Sequence, residues 1–168
     1  MLTNHAKLMA FFSVTTEVSG RKKLQKMIYI LQKCKLPFEE KFEYHFYGPY
    51  SEELTLRVEE LCNLGFLEEV REEKSNYFQY HYSITGDGEA FLQQFASHLP
   101  GLEQKVKLLK QKSSRFLELV ATIMYFDSLP KSEVVEKIHQ VKSKQNYSAE
   151  EVNQGWEFIE RLMKGSSY

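Results

Sequence analysis

Two stretches decide the fold. The first is Leu61-Cys62-Asn63-Leu64-Gly65-Phe66-Leu67; the second is Tyr82-Ser83-Ile84-Thr85-Gly86-Asp87-Gly88-Glu89-Ala90-Phe91-Leu92. Leu54, Val58, Leu61 and Cys62 recur at helical spacing behind Ser51, a residue type that caps helix N-termini. Gly65 can take the left-handed conformation that lets the chain leave that helix. Phe66 to Glu72 and Tyr77 to Ile84 are rich in strand formers and flank the polar tip Glu73-Lys74-Ser75-Asn76, which predicts a hairpin. Thr85 then caps a helix carrying Ala90, Phe91, Leu92 and Phe95.

Working toward the N-terminus, Leu24, Met27, Ile28 and Leu31 mark an amphipathic helix with Ser19 as its cap, and Leu8, Phe11 and Phe12 suggest another before it. After Pro37 the alternation of Phe42, Tyr44 and Phe46 with Glu43, His45 and Tyr47 predicts a half-buried strand ended by Gly48-Pro49. Toward the C-terminus, Pro100-Gly101 marks a boundary. Leu102, Val106, Leu109, Ser113, Phe116, Val120 and Ile123 follow at alternating steps of four and three, predicting one long helix, kinked near Ser113, with a heptad-like dimer seam. Val134, Ile138 and Val141 define a further helix, and Ser148 with Glu151 forms a capping box before Val152, Trp156, Ile159 and Met163.

The order helix, helix, strand, helix, hairpin, helix predicts an α+β winged helix over residues 1–99, with a helical extension over 100–168 that either packs back or dimerises. The segment from Leu61 to Leu92 resembles the stretch from recognition helix through wing to closing helix in bacterial winged-helix regulators. Lys23-Leu24-Gln25-Lys26-Met27-Ile28-Tyr29-Ile30-Leu31-Gln32 and Tyr47-Gly48-Pro49-Tyr50-Ser51 resemble the antitoxin-associated Panacea, or SocA-like, domain; the whole chain resembles the uncharacterised bacillary YwgA family. The Panacea resemblance covers about the first 70 residues and implies a non-catalytic adaptor or toxin-neutralising role. The YwgA resemblance implies no activity.

Composition narrows the function classes. The 168 residues are 42% hydrophobic and 27% charged, enough for a core without disulfides or metal. Lys and Arg number 22 against 23 Asp and Glu, so the overall balance carries no general attraction to polyanions. Two cysteines, Cys34 and Cys62, point to a reducing, cytoplasmic setting, and no apolar run has the roughly 20 residues of a membrane span.

Catalysis finds no constellation. Asp87 and Asp127 have no carboxylate partner spaced for magnesium, the five histidines show no ligand pairing, and Gly86-Asp87-Gly88 lacks the lysine and serine of a phosphate loop. No enzyme activity, metal or cofactor is expected.

A DNA reader would present donors on the helix before the hairpin. Its outward residues are instead Glu52, Glu53, Thr55, Arg57, Glu59, Glu60 and Asn63: four carboxylates against one guanidinium, facing phosphates about 1.7 Å apart along the duplex axis. Basic residues gather elsewhere. Arg21, Lys22, Lys23 and Lys26 are a candidate contact for nucleic acid or an acidic partner, or a solubilising cluster; Lys105, Lys107, Lys110, Lys112 and Arg115 read as a solvated surface. If the 42–47 strand pairs with the last strand, His45, Tyr47, Tyr77 and His81 share a face that could bind a protein or stack on bases, unless the C-terminal helices cover it. The expected partner is another protein, duplex DNA being the alternative, with a homodimer through Leu102, Val106, Leu109, Phe116, Val120 and Ile123.

Overall fold

The structure, a computed structural model, describes residues 3–45, 48–95 and 99–164. The elements are α1 (Thr3–Thr15), β1 (Glu17–Ser19), α2 (Arg21–Lys33), β2 (Glu43–His45), β3 (Gly48–Tyr50), α3 (Glu52–Asn63), β4 (Leu67–Glu73), β5 (Phe78–Ile84), α4 (Gly86–Gln94), α5 (Leu102–Lys110), α6 (Ser114–Tyr125), α7 (Lys131–Val141) and α8 (Ala149–Lys164). The fold is α+β: the described residues are mostly helical, with two small antiparallel sheets.

Local chemistry sets the boundaries around the hairpin. Ser51 Oγ accepts from Leu54 N at 3.1 Å to start α3, and Gly65, at φ 80°, turns the chain into β4. The β4–β5 register runs from Leu67 opposite Ile84 to Glu73 opposite Phe78. Thr85 joins the hairpin to α4: its hydroxyl donates to Gly65 O at 2.6 Å and accepts from Gly88 N at 3.0 Å.

The third strand of this sheet is not the 42–47 segment. It is β1, which the broken helical pattern at Thr15, Thr16 and Val18 did not disclose as a strand, and the strand order is β1-β5-β4. Glu43–His45 pairs instead with Gly48–Tyr50 in a separate hairpin. Gly48-Pro49 therefore begins a return strand within that hairpin.

The predicted long helix from residue 102 is two helices. Ser113 Oγ accepts from Phe116 N at 3.1 Å, so the polar member of the seam is the N-cap of α6. That break lets α6 pack on α2 and α8 while α5 packs on α1. Leu102, Val106, Leu109, Val120 and Ile123 are buried, and Phe116, half-buried, meets Phe158 edge-on at 5.4 Å. The stripe expected as a dimer seam is thus core within one chain, because the helices fold back on residues 3–45. One large apolar cluster draws on both sides of residue 100, from Leu8, Phe11 and Phe12 through Leu54 and Leu61 to Leu117 and Phe158. A smaller one joins α6, α7 and α8 through Leu119, Ile123, Val134, Ile138 and Val152.

Candidate interaction surface

Gln25, buried on α2, fixes the start of α3. Its Nε2 donates to Ser51 O at 2.9 Å and Thr55 Oγ1 at 3.0 Å, while its Oε1 accepts from Ser51 N at 2.8 Å. With Tyr50 OH 2.9 Å from Thr55 Oγ1, these bonds hold α2 and α3 at a fixed separation beside the β4–β5 hairpin. The gap they leave is a cleft of about 230 Å³. Leu24, Leu54, Val58 and Tyr82 supply its apolar lining, Arg21 and Lys22 stand on the α2 side, and Glu59 and Glu69 on the α3–β4 side.

Arg21 is clamped at this edge. Its guanidinium lies 3.6 Å above the Tyr80 ring, its Nε donates to Tyr82 OH at 3.1 Å, and its Nη2 stands 3.5 Å from Glu69. Lys22 is exposed. Lys23 donates to Lys110 O at 3.1 Å, and burial with the nearby Lys110 ammonium lowers its pKa. Lys26, grouped with these three in the sequence, is not on the surface: it is 2% exposed, and its ammonium donates to Pro49 O at 3.1 Å under the β2–β3 hairpin. Burial lowers its pKa to about 8, with Lys142 and Lys22 acting in the same direction and Glu118 against it. The uninterrupted run Met27-Ile28-Tyr29-Ile30-Leu31, all buried, was the signal that this helix is enclosed on nearly every side.

The second basic group joins helices together. Lys105 is buried and donates to Leu162 O at 2.5 Å, near the C-terminus of α8 where carbonyls lack helical partners. Lys110 donates to Thr15 O at 2.7 Å, and Arg115 makes a two-bond contact with Glu151 at 3.0 and 3.1 Å. Glu151 also completes the capping box with Ser148. The expectation of a solvated surface holds for Lys107, Lys110 and Arg115, which are exposed, and is corrected for Lys105, whose ammonium is drawn inward by the α8 carbonyl.

The predicted aromatic face is not assembled. His45 and His81 belong to different sheets; the His45 ring lies tilted beside that of Tyr50, centroids 5.1 Å apart, while His81 Nδ1 is hydrogen-bonded with Ser19 Oγ at 2.9 Å and its Nε2 lies 3.4 Å from Glu17. Tyr77 is 60% exposed at the hairpin tip, and Tyr47 lies outside the described residues. The C-terminal helices cover Tyr44 instead, whose ring is 5.0 Å from Tyr125 and 5.6 Å from Phe126.

On α3, Glu52, Glu53, Glu59 and Glu60 are exposed, and Arg57 is ion-paired with Glu40, whose side chain is 1% exposed. The strand beside it adds Glu68, Glu69 and Glu73 to the exposed surface. Cys62, between them, has its thiol pKa pushed up to about 11 by burial and by Glu69 and Glu59. Burial also raises Cys34. Among the described residues no three His, Cys, Asp or Glu side chains gather as a metal-binding group, and no helix is long and apolar enough to cross a membrane.

Fold and surface together define an α+β protein with an acidic helix-and-hairpin face beside an apolar cleft. No family model matches the chain. The chain is 56% identical over 162 residues, 96% of its length and 98% of the relative's, to "Uncharacterized protein YwgA" of Bacillus subtilis (strain 168). It belongs to the YwgA family. The similarity to the Panacea domain is not shown by these comparisons.

Proposed function

We propose that this chain is a winged helix that works as a non-catalytic cytoplasmic adaptor, engaging another protein rather than reading DNA. The winged-helix reading is supported by the succession α1-β1-α2-α3-β4-β5 and the strand order β1-β5-β4. The observation that carries the function is the outward face of α3: four exposed carboxylates, with Arg57 occupied by Glu40. Along a duplex such a face meets phosphates with like charge and offers no free guanidinium to bases. A toxin-neutralising role for this chain, the kind the Panacea resemblance implies, is one form of this reading.

The alternative, a transcriptional regulator contacting DNA through Arg21, Lys22, Lys23 and Lys26, draws less support. Lys26 is buried, Arg21 is stacked on Tyr80, and Lys23 is bonded to a backbone carbonyl. The test is fluorescence anisotropy of labelled duplexes at low and moderate salt. No saturable binding at low salt is expected. Binding that falls steeply with salt, and weakens in Lys22→Glu and Lys23→Glu, would overturn the adaptor reading.

A further inference from the structure

We infer that the pocket where the ends of α1 and α5 meet β1 and the start of α2 binds a phosphate group, held between the ammonium groups of Lys23 and Lys110. This site is separate from the acidic face of α3 and does not depend on the adaptor reading.

Size is the first ground. The pocket holds about 190 Å³ and is lined by Thr15 of α1, Glu17 and Ser19 of β1, Lys23 and Met27 of α2, and Lys110 of α5. That is below the roughly 300–1,000 Å³ of sites that enclose drug-sized ligands, so it suits one anionic group and not a whole nucleotide.

Unbalanced charge is the second. Lys23 and Lys110 stand 87 positions apart in the chain, yet Lys23 Nζ donates to Lys110 O at 3.1 Å. Lys110 Nζ in turn donates to Thr15 O at 2.7 Å. Each bond uses one of the three donors of an ammonium and fixes its position, leaving the others for a ligand. Neither lysine is ion-paired with a carboxylate among the described residues, where the lysine pairs fall at Lys7, Lys33, Lys74, Lys107 and Lys142. The carbonyls ending α1 and α5 carry only about half an elementary charge per helix, too little to cancel two cations. Glu17 is the carboxylate in the lining, and it faces His81 Nε2 at 3.4 Å.

The start of α2 adds to the same sign. Its N-cap, Gly20, supplies no side-chain acceptor and its first turn holds no acidic residue, so the positive end of the helix dipole is left uncompensated beside Lys23. Burial lowers the pKa of Lys23, and repulsion from Lys110 lowers it further; an anion between the two would relieve that repulsion. Ser19 supplies a neutral donor: when His81 Nδ1 carries the proton of its 2.9 Å bond to Ser19 Oγ, the serine hydroxyl is left to donate as well. A phosphate, with up to two negative charges at neutral pH and several acceptor oxygens, matches this set of donors.

The experiment titrates the full chain, at constant ionic strength in chloride buffer, with inorganic phosphate and in parallel with glycerol 3-phosphate, followed by ³¹P NMR and by thermal melts. Saturable binding in about the millimolar range is expected, with a melting temperature that climbs with ligand concentration. Lys23→Gln and Lys110→Gln should each weaken binding at least about tenfold, whereas Lys107→Gln, an exposed lysine on the same helix as Lys110, should leave it unchanged. Circular dichroism confirms folding; Lys110 is exposed, so Lys110→Gln decides the matter if Lys23→Gln does not fold. Tighter binding of the ester would mark the phosphate end of a larger molecule as the ligand, and equal binding free phosphate; both support the site. No saturable binding of either anion, a response that chloride alone reproduces, or an equal loss in Lys107→Gln would each overturn it. The duplex assay, run in phosphate-free buffer, judges the adaptor reading separately.

Discussion

The guanidinium of Arg57, on α3, is ion-paired with the carboxylate of Glu40, which is buried on the segment between α2 and β2. Gln32 grips the same residue by its backbone, donating to Glu40 O at 3.0 Å and accepting from Glu40 N at 3.1 Å. Removing one partner leaves the other charge stranded in a low-dielectric site. Arg57→Leu should therefore destabilise the protein by about 3–5 kcal/mol, while Glu40→Leu with Arg57→Leu should be less damaging than Arg57→Leu alone. Denaturant unfolding of the two single variants and the double variant checks this; a double variant as unstable as the sum of the singles would show that the pair is not coupled.

Lys26 gives a pH signature. Its folded pKa, about 8, lies below the ordinary 10.5 because of burial. Between these values the unfolded chain holds the extra proton, so this group makes stability rise as pH increases through that window. The penalty of the buried charge is fully present below pH 8 and is relieved by at most about 3 kcal/mol above 10.5. Above about pH 10 buried tyrosines oppose it: burial raises Tyr29, Tyr82 and Tyr147, and Tyr44 to about 12, so unfolding is favoured there by their ionisation. Chemical unfolding from about pH 7 to 10 should show the rise in the wild type and a flatter profile in Lys26→Met. Identical profiles would remove Lys26 from the account.

Cys62 should be a poor nucleophile. With its thiol near 11, the thiolate at pH 8 is only about a thousandth of the total. Iodoacetamide should modify the native protein far more slowly than the unfolded chain, and Glu59→Gln with Glu69→Gln should speed the native reaction several-fold by removing the negative charges that hold the proton. Mass spectrometry of timed reactions reads both rates. No acceleration would mean that access, not electrostatics, controls this thiol.

Gly88 lies buried in the first turn of α4. A β-carbon there would collide with the Phe66 carbonyl oxygen and would come within 2.7 Å of the Met9 side chain. The first neighbour is backbone and cannot step aside, so Gly88→Ala should destabilise the protein by about 2–4 kcal/mol. Thr85→Ala, which removes the cap and its bond to Gly65, should cost about 1 kcal/mol. Thermal melts distinguish the two; a harmless Gly88→Ala would show that α4 can shift away from Phe66.

What the sequence disclosed was local. Ser51, Gly65 and Thr85 act on residues within a turn of themselves, so α3, the hairpin and α4 were readable from a few positions. β1 was not, because its three residues are strand only by pairing with Ser83, Tyr82 and His81, more than sixty positions away. The alternation at 42–47 announced a strand but not its partner, and the structure pairs it with its immediate neighbour. The acidic face of α3 was legible as charge at helical spacing. Its engaged Arg57 was not, since Glu40 lies on a segment without periodicity. Lys26 misled for a similar reason: its burial depends on α6 and the β2–β3 hairpin closing over α2.

The return of α5 and α6 onto α1 and α2 has a consequence for shorter versions of this protein. A fragment stopping near residue 95 would bare the flanks of α1 and α2 that Leu102, Val106, Leu117 and Val120 now sheath, a slab of hydrocarbon open to water. Any naturally trimmed cousin built only from the N-terminal elements must therefore have repainted those flanks with polar side chains, or keep them permanently occupied by some other body.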